Sequence, residues 1–392
     1  MRIAYVTETY PPELNGVALT VARAVRFLWE RGHHVDLVRP RQPTDLPPAA
    51  GAVDAPAGDQ WLTAGWPIPM YPDLRFGFAT AGAVARHFAD TRPQLVHLAT
   101  PGPLAWAALR AARRLRIPTT SDFRTNFHQY SAYYRLGWLE GAFLRLLRRF
   151  HNSTARTFVP TRAVRAELAQ QGFERLEVVG RGVDAVQFHP RHRSRALRAA
   201  WGAQDTTPVL LSVGRVAAEK NIGLALRAFY ALRRQRPDAQ MVVVGDGPLR
   251  ARLQATHPEV RFLGVRRGDE LAACYASADL FVFPSLSETF GNVTLEALAS
   301  GLPVVAYDTA AAAEHVVPGS HGLLAPPGDE AAFEAAVREL GAAPGRLHVM
   351  CEAAAAAGRQ ARWDDILGRF ESQLQQTVDV PQTSSPPVAV VA

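Results

Sequence analysis

The chain has 392 residues, 48% hydrophobic and 20% charged, which is too long for one ordinary α/β core and enough for two domains that each bury their own. Its two cysteines, Cys274 and Cys351, exclude a disulfide framework, and no apolar run approaches the roughly 18–20 residues of a membrane-spanning helix. The formal net charge of +7 is uneven: the first 190 residues carry 23 arginines against 15 acids, the remainder 20 cations against 21.

In chain order, residues 3–7 read as a buried strand, and the chain opens directly on it without a signal-peptide pattern. Residues 19–31 follow with Val21, Ala22, Val25, Leu28 and Trp29 on one helical face, stopped by Gly32. Strands are predicted at 35–38, 95–98, 117–120, 157–160 and 177–179, with helices at 79–89, 104–115, 139–150 and 162–171 between them. Strands separated by helices imply a parallel sheet covered on both faces. The alternation pauses over 182–208, then resumes with strands at 209–213, 241–244, 260–263, 280–283 and 304–306. The reading is an α/β protein of two Rossmann-like domains, 1–185 and 186–360. An amphipathic helix over 361–377 is expected to pack back on the first domain, ahead of a disordered tail over 378–392.

Ligands in open α/β sheets gather at the carboxyl ends of strands. The loop after the first strand ends in Asn15-Gly16, where glycine lets a phosphate or sugar approach the backbone, or where an ordinary turn redirects the chain. Residues 214–221 read Gly-Arg-Val-Ala-Ala-Glu-Lys-Asn, placing Arg215 and Lys220 on one loop before a helix. Lys220 is the only lysine in a sequence otherwise given over to arginine, so this site needs a compact ammonium rather than a planar fork. Such a pair suits a diphosphate whose charge rises as it departs, although two solvated side chains would read the same way. Residues 284–304 follow a buried strand and open a helix near Asn292, with Glu288 in the loop and Glu296 in its first two turns. Glu296 could grip a ribose diol and Glu288 sugar hydroxyls, while the N–H groups of Phe290, Gly291 and Asn292 face phosphates. The plain alternative makes Glu288 an ordinary acid at a helix start and Glu296 part of a solvated face.

Residues 285–291 (Ser-Leu-Ser-Glu-Thr-Phe-Gly) and 296–304 (Glu-Ala-Leu-Ala-Ser-Gly-Leu-Pro-Val), taken with Gly214–Asn221, closely resemble the signature of glycosyltransferase family 4, and the resemblance spans roughly 1–377. Arg181-Gly182-Val183-Asp184, with Phe188 and Pro190, resembles that family's interdomain segment. The resemblance implies a GT-B architecture with an interdomain active-site cleft, and retention through same-face attack stabilised by the leaving phosphate. By the same analogy Arg215 and Lys220 hold the donor diphosphate, Glu296 the ribose and Glu288 the transferred sugar, with Gly16 at the donor phosphates or the acceptor. On the same resemblance, the choice of base is expected to depend on the backbone and pocket shape around Gly264, Val265 and Arg266. Members that transfer mannose or sulfoquinovose carry a His-Thr pair in the first domain. Here Arg124 stands at the expected histidine and His128 four residues later; either could contact the sugar 6-hydroxyl, or Arg124 could add charge at the phosphate.

The expected reaction is hexose transfer, with GDP-mannose as the first choice of donor, to a lipid or glycan hydroxyl. A UDP-glucose-type donor or a non-catalytic nucleotide-sugar binder are the alternatives. No cofactor beyond the nucleotide-diphosphate sugar co-substrate and no metal are expected: no Asp-X-Asp triplet occurs, and His33, His34, His189 and His192 lack convergent carboxylate or cysteine partners in the sequence. Gly245-Asp246-Gly247 has Arg250 where a dinucleotide fingerprint needs its third glycine, and reads as a tight turn. Sugar-nucleotide 2-epimerases, which share the architecture, need acid/base groups the chain scarcely offers, and nucleic-acid binding is disfavoured because its basic residues are scattered. The basic helix over 138–150 fits either an anionic membrane surface or a core helix with a charged outer face. The expected location is cytoplasmic, with a peripheral place on the inner face of the cell membrane open.

Overall fold

A computed structural model of the chain describes residues 1–13, 16–43, 45, 60–68, 71–124, 137–285, 288 and 290–379, the side chains of 68, 71–74 and 137–140 excepted. Eight strands form a first sheet: β1 (Arg2–Val6), β2 (His34–Pro40), β3 (Gln60–Ile68), β4 (Tyr71–Phe78), β5 (Leu95–Leu98), β6 (Thr119–Asp122), β7 (Arg156–Val159) and β8 (Leu176–Val178). Six form a second: β9 (Val209–Val213), β10 (Gln240–Val244), β11 (Arg261–Gly264), β12 (Leu280–Phe283), β13 (Val304–Tyr307) and β14 (Gly322–Ala325). Their spatial orders are β4-β3-β2-β1-β5-β6-β7-β8 and β11-β10-β9-β12-β13-β14. All pairings between these strands are parallel except β3 with β4. Parallel strands need crossovers, and helices on both faces explain why β9 and β12 are buried along their whole length.

Each sheet reverses direction once. The chain runs outward from β1 to β4 and returns to the other side of β1 as β5; it runs from β9 to β11 and returns to the other side of β9 as β12. Such reversals open a crevice at the carboxyl ends of the strands. The loops after β1, β9 and β12 therefore emerge at crevices, and these are the loops that carry Gly16, Lys220 and Glu288.

The periodicity predicts no strand over 60–78, because Gly65, Pro67, Pro72 and Gly77 interrupt the alternation. Pro67 lies where β3 has left β2 and pairs only with β4, and Pro72 lies on the outermost strand, positions that tolerate a missing donor. The first helix, Gly16–Glu30, starts three residues before the predicted one.

The Trp363–Asp379 helix returns to the first sheet, where Leu367, Phe370 and Leu374 share one core cluster with Ile3, Tyr5, Leu95 and Phe158. It runs two residues into the stretch expected to be a tail, and residues 380–392 lie outside the described residues. Glu371 on this helix corrects the reading of His33: its carboxylate lies 2.7 Å from His33 Nε2 and accepts from Arg31 Nε at 3.2 Å. The acid is supplied from 338 positions away, a distance that sequence proximity does not register. Among the described residues, no group of three or more His, Cys, Asp or Glu side chains is placed to hold a metal ion.

Two chain passes run side by side between the sheets. Val183 N donates to Ala361 O at 2.8 Å, and a Cβ on Gly182 would lie 2.5 Å from Trp363 N, so only glycine lets the passes touch. A third contact joins the halves farther out. The Glu314 carboxylate accepts from Arg162 N at 2.8 Å, at the start of the Arg162–Gln170 helix.

Candidate active site

On the second sheet, the loop after β9 is pressed onto the loop after β10. Gly245 has φ +134°, and a Cβ there would sit 1.9 Å from Gly214 O; a Cβ on Gly247 would sit 2.4 Å from Val216 O. The glycines thus serve close backbone packing, and Val216 N donates to Asp246 O at 2.9 Å to fix it. The turn Ala218–Lys220 then directs the lysine inward, where Lys220 Nζ forms a salt bridge with the Glu288 carboxylate from the loop after β12. The ammonium also stands 5.9 Å from the Phe283 ring centroid, and the two charged side chains retain only 20% and 14% of their exposure. Arg215 is 61% exposed, with its Nη1 3.4 Å from Glu219. Val265, following β11, is also exposed.

Phe290 is buried and Gly291 takes φ +85°, a left-handed turn that starts the Asn292–Ala299 helix. The first N–H groups of a helix have no partner within it and make an anion-seeking end. One turn on, Glu296 accepts a hydrogen bond from Tyr275 Oη at 2.9 Å. Burial pushes its carboxyl up to about 6, against the downward pull of the Tyr275 hydrogen bond and the Arg23 guanidinium. Arg23 belongs to the first helix, so Glu296 faces the other half of the molecule.

On the first sheet, β6 ends in Asp122, whose carboxylate pairs with Arg124 Nε. Behind it, His97 Nε2 lies 3.1 Å from the same carboxylate and His97 Nδ1 2.9 Å from Thr120 Oγ1. Burial raises the Asp122 carboxyl, but Arg124 and His97 outweigh burial and hold it below the usual carboxylate range. Arg124 is therefore a fixed cation on a buried acid. His128 lies outside the described residues.

The two halves meet at Arg181, on the pass that leaves β8. Its Nη1 lies 3.5 Å from Asn292 Oδ1, its guanidinium carbon 5.8 Å from the Phe290 ring centroid, and a Cβ on Gly16 would lie 3.6 Å from the same Nη1. The structure thus brings together Lys220 with Glu288, and Gly16 with Phe290 and Asn292 through Arg181. Arg215 instead lies against Glu219, Val265 is exposed, and Glu296 stands apart against Tyr275 and Arg23.

A family described as Glycosyltransferase Family 4 matches residues 14–187, and one described as Glycosyl transferases group 1 matches 207–342. A GDP-mannose-dependent alpha-mannosyltransferase of Mycolicibacterium smegmatis is 34% identical over 379 residues, covering 95% of this chain and 98% of its own. The chain is a family 4 glycosyltransferase. A sulfoquinovosyl transferase of Arabidopsis thaliana is 31% identical to it over 340 residues, 84% of this chain and 64% of that one. Among solved structures, a sucrose-phosphate synthase from Thermosynechococcus elongatus superposes on the transferase with a TM-score of 0.74 at 19% identity, covering 96% and 98% of the two chains; this likeness speaks to the fold. With that fold the transferase has the two-sheet GT-B architecture.

In the sequence Arg181 belongs to the interdomain motif with no role attached to it, and Asp122, His97 and Tyr275 carry no motif that singles them out. The signal for Asp122 was available: an acid ends a buried strand two residues before Arg124. Tyr275 carries no local signal, because only the packing of its helix brings it to Glu296.

Proposed function

We propose that this transferase moves mannose from GDP-mannose, with retention of anomeric configuration, to a hydroxyl of a lipid or lipid-linked glycan. The observation that carries the reading is the salt bridge of the sole lysine, Lys220, with Glu288 beside the start of the Asn292–Ala299 helix. A cation, an acid and a helix N-terminus meet at the strand-order reversal, as a sugar diphosphate requires. Lys220 and Arg215 take the diphosphate together with the N–H groups of Phe290, Gly291 and Asn292. Glu296 takes the ribose, Glu288 the hexose hydroxyls, Gly16 the close approach of phosphate or acceptor, and Val265 borders the base. Arg124, braced by Asp122, faces the sugar in place of a histidine; His128 is kept as a second candidate for that contact. The bond from the sugar C1 to the phosphate oxygen breaks, the acceptor oxygen bonds C1 on the same face, and the acceptor proton passes to the departing phosphate. No cofactor beyond the nucleotide-diphosphate sugar takes part in this scheme. Similarity to the mycolicibacterial mannosyltransferase over nearly the whole chain supports the choice of donor.

The acceptor side is assigned to a membrane surface. The Gly137–His151 helix buries Leu147 and Phe150 but exposes Phe143 and Leu146 beside Arg145, Arg148 and Arg149, a mixture suited to an anionic bilayer. No helix among the described residues is long and apolar enough to cross a membrane, so attachment would be peripheral.

The test is thermal stabilisation by GDP, UDP, ADP, GDP-mannose and UDP-glucose without added metal, with Lys220→Ala as control. A shift confined to the guanine nucleotides and lost in the variant is expected. A shift with UDP alone would reassign the donor to a UDP-hexose, and no shift with any nucleotide would leave a non-catalytic homologue.

A further inference from the structure

We infer that Arg181 is a third cation for the departing diphosphate, donating to the phosphate attached to the transferred sugar. This rests on the donor reading above and goes beyond it by giving a binding role to a residue outside the two motif loops.

Three arginines among the described residues are buried: Arg39, Arg198 and Arg181. Arg39 lies 2.8 Å from the Asp45 carboxylate and Arg198 2.8 Å from that of Asp279. Arg181, only 8% exposed, has no ion pair with any described carboxylate, and its side-chain hydrogen bond is a long one, 3.5 Å, to a neutral amide. A buried charge normally requires a partner. The nearby acids are already taken, since Asp122 pairs with Arg124 and Glu288 with Lys220.

What surrounds Arg181 adds positive potential. Nη1 stands beside Asn292, the first residue of the Asn292–Ala299 helix, and beside Gly16, the first residue of the Gly16–Glu30 helix. Two helix N-termini, one from each half of the molecule, thus converge on one guanidinium. Burial, followed by the charge of Arg124, brings the Arg181 group down to about 10, the direction expected of a cation that lacks its counter-ion. The Phe290 face, 5.8 Å away, holds the guanidinium where it is. An arriving anion of more than one charge completes this arrangement. The sugar-linked phosphate is the group whose charge grows: when the C1–oxygen bond breaks, its electron pair stays on the phosphate oxygen, which Arg181 N–H groups can then receive.

The test compares Arg181→Gln, Arg181→Lys and Lys220→Ala with the unaltered protein. Affinities for GDP and GMP (and for UDP and UMP in parallel) are taken by titration calorimetry, kcat and KM with the nucleotide-sugar, and melting temperature without nucleotide. Arg181→Gln is expected to lower the diphosphate-over-monophosphate affinity ratio about 10-fold and kcat about 100-fold, with Arg181→Lys recovering part of each. Because it removes a buried charge without an acid partner, Arg181→Gln is expected to melt no lower than the unaltered protein. A merely structural arginine would give the reverse, a lower melting temperature with the ratio unchanged, and that result overturns the inference. If Lys220→Ala loses nucleotide binding while Arg181→Gln keeps the full ratio and kcat, the donor reading stands and the Arg181 role falls. If the unaltered protein binds none of the four nucleotides, both fall.

Discussion

Replacing Tyr275 by phenylalanine removes one oxygen, and the consequence can be worked through Glu296. The phenol donates to the Glu296 carboxylate at 2.9 Å, and that carboxyl already stands at about 6 because of burial. A hydrogen bond to a charged group contributes about 1.5–3 kcal/mol. At 1.36 kcal/mol per pKa unit, its loss carries Glu296 up by roughly one to two units, to about 7–8. At pH 7 the carboxylate fraction then falls from about 90% to between about 10% and 50%. If the ionised carboxylate holds the ribose, GDP affinity at pH 7 drops by about 2- to 10-fold and recovers as the pH is raised toward 9. Calorimetric titration of GDP from pH 5.5 to 9 reads this directly, with Glu296→Gln as a variant whose affinity should not follow pH in this range. Superimposable curves for Tyr275→Phe and the unaltered protein would refute the reasoning, as would flat affinity for the unaltered protein across pH 6.

Lys220→Met strips Glu288 of its cation and, with both side chains still partly wetted, should cost about 1–3 kcal/mol of stability in urea unfolding; an unchanged midpoint would mean the pair contributes nothing. Lys220→Arg keeps the charge but presents a fork where a point charge sits, so donor affinity should fall about 10-fold with little change in stability. Gly102→Ala would place a Cβ 2.1 Å from Glu8 Oε1, driving the carboxylate off the Leu104 and Gly77 N–H groups; a loss of about 2–4 kcal/mol is expected, and a loss under about 0.5 kcal/mol contradicts the geometry. Burial raises the Glu8 carboxyl from 4.5 to about 7 despite hydrogen bonds from the Gly77, Leu104 and Ala105 N–H groups, so the folded chain holds that proton more tightly than the unfolded one. Its stabilising contribution is complete below pH 4.5 and is lost as the pH rises through 7, on the order of 3 kcal/mol in all. Denaturation midpoints over pH 4–8 should show that fall, and Glu8→Gln should flatten it.

Local pattern carries far in this chain and then stops. Val209–Val213 and Leu280–Phe283 are apolar throughout, so their strands are legible, and the loops after them follow from the rule for open sheets. Lys220 stands out by composition alone, and Glu288 and Glu296 by motif. The salt bridge between Lys220 and Glu288 spans 68 residues and depends on β12 lying beside β9, an order that periodicity does not encode. Arg181 escapes for the same reason: a lone arginine before a glycine looks like surface until two helices from different sheets close over it. The antiparallel pair β3 and β4 is hidden by its own prolines and glycines.

The last described helix has a mechanical consequence. Phe370 packs edge-on against His97 at 5.1 Å and against Phe158 at 5.1 Å. His97 is the residue behind Asp122, and Asp122 braces Arg124. Arg124 therefore stands on a footing laid by a residue some 250 positions downstream. During synthesis the first sheet can be threaded early, but this footing is missing until residue 370 has left the ribosome and the second sheet has been made in between. Trimming the chain back through Phe370 would thus do more than shorten a terminus: it would open the floor under Arg124 while leaving every motif residue in the chain.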